Sequence, residues 1–223
     1  MRIHDWSFDI VLYDIDGTLV DTGGAGMTAL QQAAEEYFGA PAPTLDLAGS
    51  TDLGIVQNLL EHYHHPAEQM DVSAFFHCYH QKLQFHLASN QYPGRVHEGM
   101  RESLELLCAK ETALGLLTGN TRIGAYLKTK HFGLDHYFPY GAYGDDFADR
   151  NLLGPVALSR AQEHHGKPFS AESTLVIGDT PKDIACAHAM GARCLAVATG
   201  AYSKDALQAH GADWVVASLV ELL

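Results

Sequence analysis

The sequence predicts an α/β protein: a Rossmann-like, doubly wound parallel sheet interrupted by one all-α insert. Three observations carry this. From about residue 105 onward, short apolar runs alternate with helix-like stretches, as in a parallel sheet covered on both faces. Between residues 21 and 93 that alternation stops, and the chain reads as helix without a convincing strand. Several apolar runs also end abruptly in Asp or Thr, which puts polar groups at the carboxyl ends of strands, where open α/β sheets bind ligands.

Taken in order, IVLY (residues 10–13) is the first strand, and DIDGT follows it directly. Gly23, Gly24 and Gly26 come next. They lack the Lys-Ser/Thr of a phosphate loop and read as a hinge into the insert. Three helical stretches make up the insert: residues 25–39 (AGMTALQQAAEEYFG), 52–65 (DLGIVQNLLEHYHH) and 72–88 (VSAFFHCYHQKLQFHLA). NQYPGRV (90–96) marks the exit. The expected division is a core of residues 1–20 and 95–223 around an insert of residues 21–94. Further strands are expected at residues 112–118, 137–144, 173–179, 193–199 and 213–217, and helices at 122–131, 152–165, 184–190 and 204–210. Gly133, Gly166, Gly191 and Gly211 stand where those helices should stop.

The 223 residues suit a core with a modest insert, and 47% hydrophobic content against 18% charged excludes a disordered composition. A formal net charge of -13 argues against nucleic acid as a partner, because no basic surface is present to neutralise phosphates. A local pocket can still attract a small anion. No apolar run approaches the roughly 18 residues of a membrane span, and the N-terminus shows no export signal. The four cysteines are scattered without a CxxC pair, consistent with reduced thiols and a cytoplasmic location. A monomer or a homodimer fits equally well.

Three strand ends carry the chemistry. Asp14 and Asp16 flank Ile15, so alternation sends both carboxylates to one side. A turn before Gly17 accounts for one Asp but not for two like charges side by side. LVIGDTPKDI repeats the pattern with Asp179 and, four residues on, Asp183. Thr180, Pro181 and Asp183 alternatively form a helix-capping box, which leaves Asp179 unexplained. If these strands are neighbours, the carboxylates converge and require a divalent cation, and an all-oxygen donor set favours Mg²⁺ over zinc. LGLLTGNT ends a third strand in Thr118, Gly119 and Asn120. Asn120 or Thr121 serves as an N-cap, or the hydroxyl and the amides of the helix start bind an anion.

The order DxDGT, an apolar strand ending in Thr, then GDxxxD resembles the haloacid dehalogenase-like superfamily of phosphohydrolases, over residues 8–22 and 95–223. The insert resembles the helical cap of phosphoglycolate phosphatases and β-phosphoglucomutases. That resemblance implies a phosphatase acting on a small phosphorylated metabolite. Asp14 would be the nucleophile forming an aspartyl-phosphate, and Asp16 the general acid and base. Mg²⁺ would be held by Asp14, the Asp16 main-chain carbonyl, Asp179 and Asp183. Gly17, Thr118, Gly119 and Asn120 would surround the phosphate. The second Asp of DIDGT favours phosphoryl transfer over dehalogenation. A phosphomutase and a non-catalytic binding module are the alternatives.

The superfamily also expects a cation, usually Lys, before the helix leading to the last acidic strand. Arg150 and Lys167 compete for that place. Lys167 stands 12 residues before Asp179, too near for an intervening helix, whereas Arg150 at 29 residues leaves room and can fork onto phosphate or pair with Asp179 or Asp183. In the insert, Ser50, Thr51 and Asp52 are either substrate contacts or a helix N-cap. His77, His80 and the EHYHH run (61–65) read as a solvated face rather than a metal site, and Lys82 is the insert's one lysine.

Overall fold

The computed structural model describes residues 2–223. Strand β1 (Ile10–Tyr13) is central to a six-stranded sheet, all of whose pairs are parallel. After β1 the chain forms β2 (Val20–Asp21), then helices α1 (Ala25–Phe38), α2 (Asp52–His62) and α3 (Val72–Leu87), and returns through β3 (Arg95–Val96). The remainder is α4 (Met100–Ala109), β4 (Ala113–Leu117), α5 (Arg122–His131), β5 (Gly141–Ala142), α6 (Leu153–His165), β6 (Thr174–Gly178), α7 (Pro181–Met190), β7 (Arg193–Val197), α8 (Lys204–Ala209) and β8 (Trp214–Val216). The sheet order is β5-β4-β1-β6-β7-β8.

Both faces of β1 are apolar, as a doubly covered sheet requires. Val11 and Tyr13, with Ile15 just beyond, join one core with Met100 and Leu104 of α4. Ile10 and Leu12 join the opposite core with Leu153 and Ala157 of α6 and Ile184 of α7. Gly166 and Gly191 close α6 and α7 in the left-handed conformation. Tyr13 stands opposite Leu116 of β4 and Ile177 of β6. The three strands therefore release Asp14, Thr118 and Asp179 at one edge of the sheet.

Helices α1–α3 pack around an apolar cluster of their own. Ala29 and Ala33 of α1 let Phe75, Tyr79 and Leu83 of α3 approach closely. Three features differ from the sequence expectation. β2 and β3 form an antiparallel two-stranded ribbon where the chain enters and leaves the helical segment; two-residue strands leave no readable alternation. Helix α4 had no counterpart in the expectation. The strand expected at 137–144 shrinks to Gly141–Ala142 beside a 3₁₀ turn at Asp135–Tyr137, which takes up the start of the expected run, while Tyr140 still accepts a main-chain bond from Leu116. Among the described residues no helix is long and apolar enough to cross a membrane.

Leu12 is fully buried between two neighbouring strands. Leu12→Ala is expected to lower unfolding stability by about 2–5 kcal/mol, measured by denaturant titration. A loss under about 1 kcal/mol would contradict its place in the core.

Candidate active site

Three acids meet at the strand ends. Carboxylate oxygens of Asp14, Asp179 and Asp183 all lie within 4.8 Å of one another, and all three residues are buried. Such a set repels by on the order of 3 kcal/mol per pair at an intermediate effective dielectric. Arg150 supplies the counter-charge. Its Nη2 donates to Asp14 Oδ1 at 3.0 Å, to Asp183 Oδ1 and to the Leu117 carbonyl at 3.2 Å, while Nη1 donates to the Gly49 carbonyl at 3.0 Å. The guanidinium is itself buried. Burial opposes its charge, but Asp183 and Asp14 outweigh that and raise its pKa. Lys167 lies elsewhere, its ammonium 5.3 Å from the centre of the Phe169 ring.

Burial pushes Asp14 up to about 7 against the pull of Arg150, with Asp183 and Asp16 adding repulsion. Burial, then the charges of Asp183 and Asp14, push Asp179 up to about 8. Thr18 Oγ1 donates to Asp179 Oδ1 at 3.0 Å. Gly17 is required here twice over. Its φ is +79°, and a Cβ would stand 2.7 Å from the Asp179 carboxyl carbon. A Cβ on Gly178 would strike Asp183, and one on Gly200 would strike Asp179. These glycines leave an oxygen-lined recess whose hard donors suit a divalent cation.

Asp183 does double duty. Thr180 and Asp183 form the capping box at the start of α7, with Asp183 Oδ2 accepting from the Thr180 amide at 2.9 Å and its hydroxyl at 2.6 Å. The other oxygen faces Arg150. Both Asp183 oxygens are thus engaged, one by the capping box and the other by Arg150.

Asp16 departs from the expectation of convergent carboxylates. Its side chain lies outside the acidic trio and faces Lys128, whose Nζ donates at 2.8 and 2.6 Å to the two carboxylate oxygens. The same ammonium donates to Asn120 Oδ1 at 2.6 Å. This fixes the Asn120 amide, whose Nδ2 then donates to Asp16 Oδ2 at 2.7 Å and to Thr118 Oγ1 at 2.9 Å. Asn120 is thus committed to Asp16 and Thr118 rather than held open for an anion. Lys128 was absent from the sequence-derived candidates. It lies one turn and a half into α5 with no motif around it. A signal was present: a lysine four residues after Gly124, on the face that carries Ala125 and Thr129 into the core.

The amides at the start of α5 are also taken. Thr121 N–H donates to Asp52 Oδ2 at 2.7 Å, Arg122 N–H to Asp145 Oδ1 at 2.9 Å, and Gly124 N–H to the capping Thr121 hydroxyl at 3.1 Å. Two of the amides at the expected anion corner thus face the protein's own carboxylates. Asp52 is buried, which pushes it up to about 6 despite the Thr121 amide and Lys128. Thr51 caps α2 and donates to the Ala148 carbonyl at 2.6 Å, so its hydroxyl is used structurally. Ser50 Oγ donates to the Asp46 carbonyl and accepts from Lys182 at 2.7 Å. The main chain continues this seam, with Asp52 N–H on the Gly119 carbonyl at 2.7 Å and Leu53 N–H on the Gly144 carbonyl at 3.1 Å. Any side chain at Gly119 would collide with Ser50. His80 is not on a solvated face either: its Nε2 lies 2.7 Å from Thr121 Oγ1, and burial, then His77, lowers its pKa to about 4. Lys82 pairs with Glu36 at 2.6 Å.

A trio of acids thus stands with a buried arginine at the carboxyl edge of the sheet. A haloacid dehalogenase-like hydrolase family model matches residues 11–197, and the chain belongs to that family. It is 28% identical over 212 residues to the 5'-nucleotidase of Pseudomonas aeruginosa, with 95% of this chain and 92% of that protein covered. It is 27% identical over 217 residues to a phosphoglycolate phosphatase of Chromobacterium violaceum, covering 95% and 93%. The solved structure of CbbY from Rhodobacter sphaeroides in complex with phosphate shares the fold, with a TM-score of 0.75 at 16% identity over 96% of each chain. The chain is thus an enzyme of the phosphatase type.

Two predictions test the charge balance. Asp14 and Asp179 titrate above the ordinary 3.8 in the folded protein. Between about pH 4 and 8 the folded state therefore holds protons that the unfolded chain has released, and stability falls as pH rises through that window. The thermal midpoint in excess chelator should be lower at about pH 8 than at about pH 6, and added Mg²⁺ should raise it more at the higher pH. A midpoint that rises across this range would contradict the assignment. Separately, Arg150→Met leaves two buried carboxylates without their partner and should cost about 3–5 kcal/mol in a denaturant titration.

Proposed function

We propose that this chain is a Mg²⁺-dependent phosphatase that hydrolyses a small phosphorylated metabolite through a phosphorylated Asp14. The observation that carries the reading is the position of Asp14. It lies at the carboxyl end of the central strand, within 4.8 Å of Asp179 and Asp183 oxygens and paired with Arg150. Residues 21–94 act in this reading as a cap over residues 1–20 and 95–223, and the seam between Ser50–Leu53 and Gly119 is the contact that closes it.

Asp14, Asp179 and Asp183 would hold the cation, with the Asp16 main-chain carbonyl as a further donor. The bound cation supplies charge neutralisation between the carboxylate nucleophile and the phosphate dianion. An Asp14 carboxylate oxygen attacks phosphorus, the ester P–O bond breaks, and the electron pair leaves with the substrate oxygen. Asp16, which enters this step as the carboxylic acid, gives that oxygen a proton and becomes the carboxylate. In the second half Asp16 takes a proton from water, the water oxygen attacks phosphorus, and the Asp14 acyl-phosphate bond breaks to release inorganic phosphate. Lys128 and Asn120 hold the Asp16 carboxyl group in one orientation through both steps. Arg150 holds Asp14 and Asp183 in place through Nη2. Thr118, buried beside Asp14's strand, contributes a hydroxyl that accepts from the Asn120 main-chain and side-chain amides and is claimed by no acceptor among the described residues.

Asp14→Asn should lower kcat by about 10³-fold or more in a phosphate-release assay, and EDTA should abolish activity until Mg²⁺ is restored. Full turnover by the Asn variant, or in excess EDTA, would overturn the reading.

A further inference from the structure

Between the helical segment and the carboxyl edge of the sheet lies a cavity of about 430 Å³, within the size range of small-molecule sites. Asp16 and Gly119 stand in its wall, and in the phosphatase reading the part of the substrate beyond the phosphate occupies it. Helical residues Met27, Leu30, Ile55 and Tyr79 give it an apolar side. Among the described residues lining it, Lys128 is the one lysine or arginine, against Asp16, Asp21 and Asp52. Lys128 already donates to both Asp16 oxygens and to Asn120, and is 4% exposed. The wall therefore offers no uncommitted cation to a second anionic group, and its remaining acids repel one.

One group in the same wall lacks a partner. His97 follows β3 and is 7% exposed, and its Nε2 is buried without a hydrogen bond. Burial, then Arg95, lowers its pKa, and a neutral ring nitrogen pairs with a hydroxyl as donor or acceptor. Leaving a buried ring nitrogen unpaired is costly, and a ligand hydroxyl removes that cost.

We propose that this cavity receives the leaving group and selects an uncharged, hydroxyl-bearing alcohol, with a hydroxyl paired to His97 Nε2 and leaving groups carrying a carboxylate or second phosphate disfavoured. The inference rests on the phosphatase reading and narrows it. It sets this chain apart from a relative named for phosphoglycolate, whose leaving group carries a carboxylate.

The test is a comparison of matched esters that differ only in a CH₂OH or a carboxylate: glycerol 3-phosphate against 3-phosphoglycerate, and glucitol 6-phosphate against 6-phosphogluconate. In each pair kcat/KM should favour the neutral member by about tenfold or more, equivalent to about 1.4 kcal/mol. Met27→Lys places an ammonium in the wall and should narrow both ratios by about threefold or more. His97→Phe should lower glucitol 6-phosphate turnover relative to p-nitrophenyl phosphate, which has no hydroxyl, by about fivefold. Each readout is a ratio within one enzyme preparation, so partial misfolding of a variant cancels. Equal or faster hydrolysis of the acidic members, with p-nitrophenyl phosphate still cleaved, overturns the selectivity and leaves the phosphatase reading standing. Failure to cleave any ester in the presence of Mg²⁺ overturns both.

Discussion

The contact between the Arg150 guanidinium and the carboxylates of Asp14 and Asp183 makes three buried acids at one sheet edge tolerable. Desolvation alone penalises each carboxylate, and their mutual repulsion adds to it. The rest of the site is arranged around that charge. Gly17, Gly178 and Gly200 give up side chains so that Asp179 and Asp183 have room, and Thr18 donates to Asp179 from the turn below. The capping box of α7 occupies only one Asp183 oxygen, which frees the other for Arg150. A secondary-structure device and an electrostatic one thus share a single side chain.

Asp16 belongs to a second ion pair. Two carboxylates two residues apart diverge, one to Arg150 and the other to Lys128, so the crowding implied by DIDGT is relieved by separate cations on α5 and before α6. The Lys128–Asn120–Asp16 link also explains why Asn120 is not held open toward an anion. Both of its amide hydrogens and its carbonyl are used in orienting a neighbour.

The helical segment meets the core through polar and main-chain bonds and through the packing of α3 on α5, where Leu127 joins the helical cluster. Asp52 accepts from the Thr121 amide, Thr51 reaches Ala148, and Ser50 is pressed against Gly119. The three helices keep their own apolar cluster, in which the alanine face of α1 meets the aromatic face of α3.

Much of this was legible in the sequence. The alternation of strands and helices, the helical interruption, and the strand ends at Asp14, Thr118 and Asp179 follow from local patterns of apolar residues and stops. The 29-residue spacing to Asp179 was enough to prefer Arg150 to Lys167 as the neighbouring cation. Lys128, Asp52, His80 and His97 were not legible in these roles, because each acquires its meaning from a partner about 40 to 112 positions away or from a cavity wall. The β2–β3 ribbon was hidden for a related reason: two residues per strand carry no period. The sequence by itself determined which side chains stand at the ends of the strands, since period and punctuation are local properties. Only the tertiary structure decided which charges face one another and which polar atom is left without a partner, because pairing in a low-dielectric interior depends on distances that linear order does not contain.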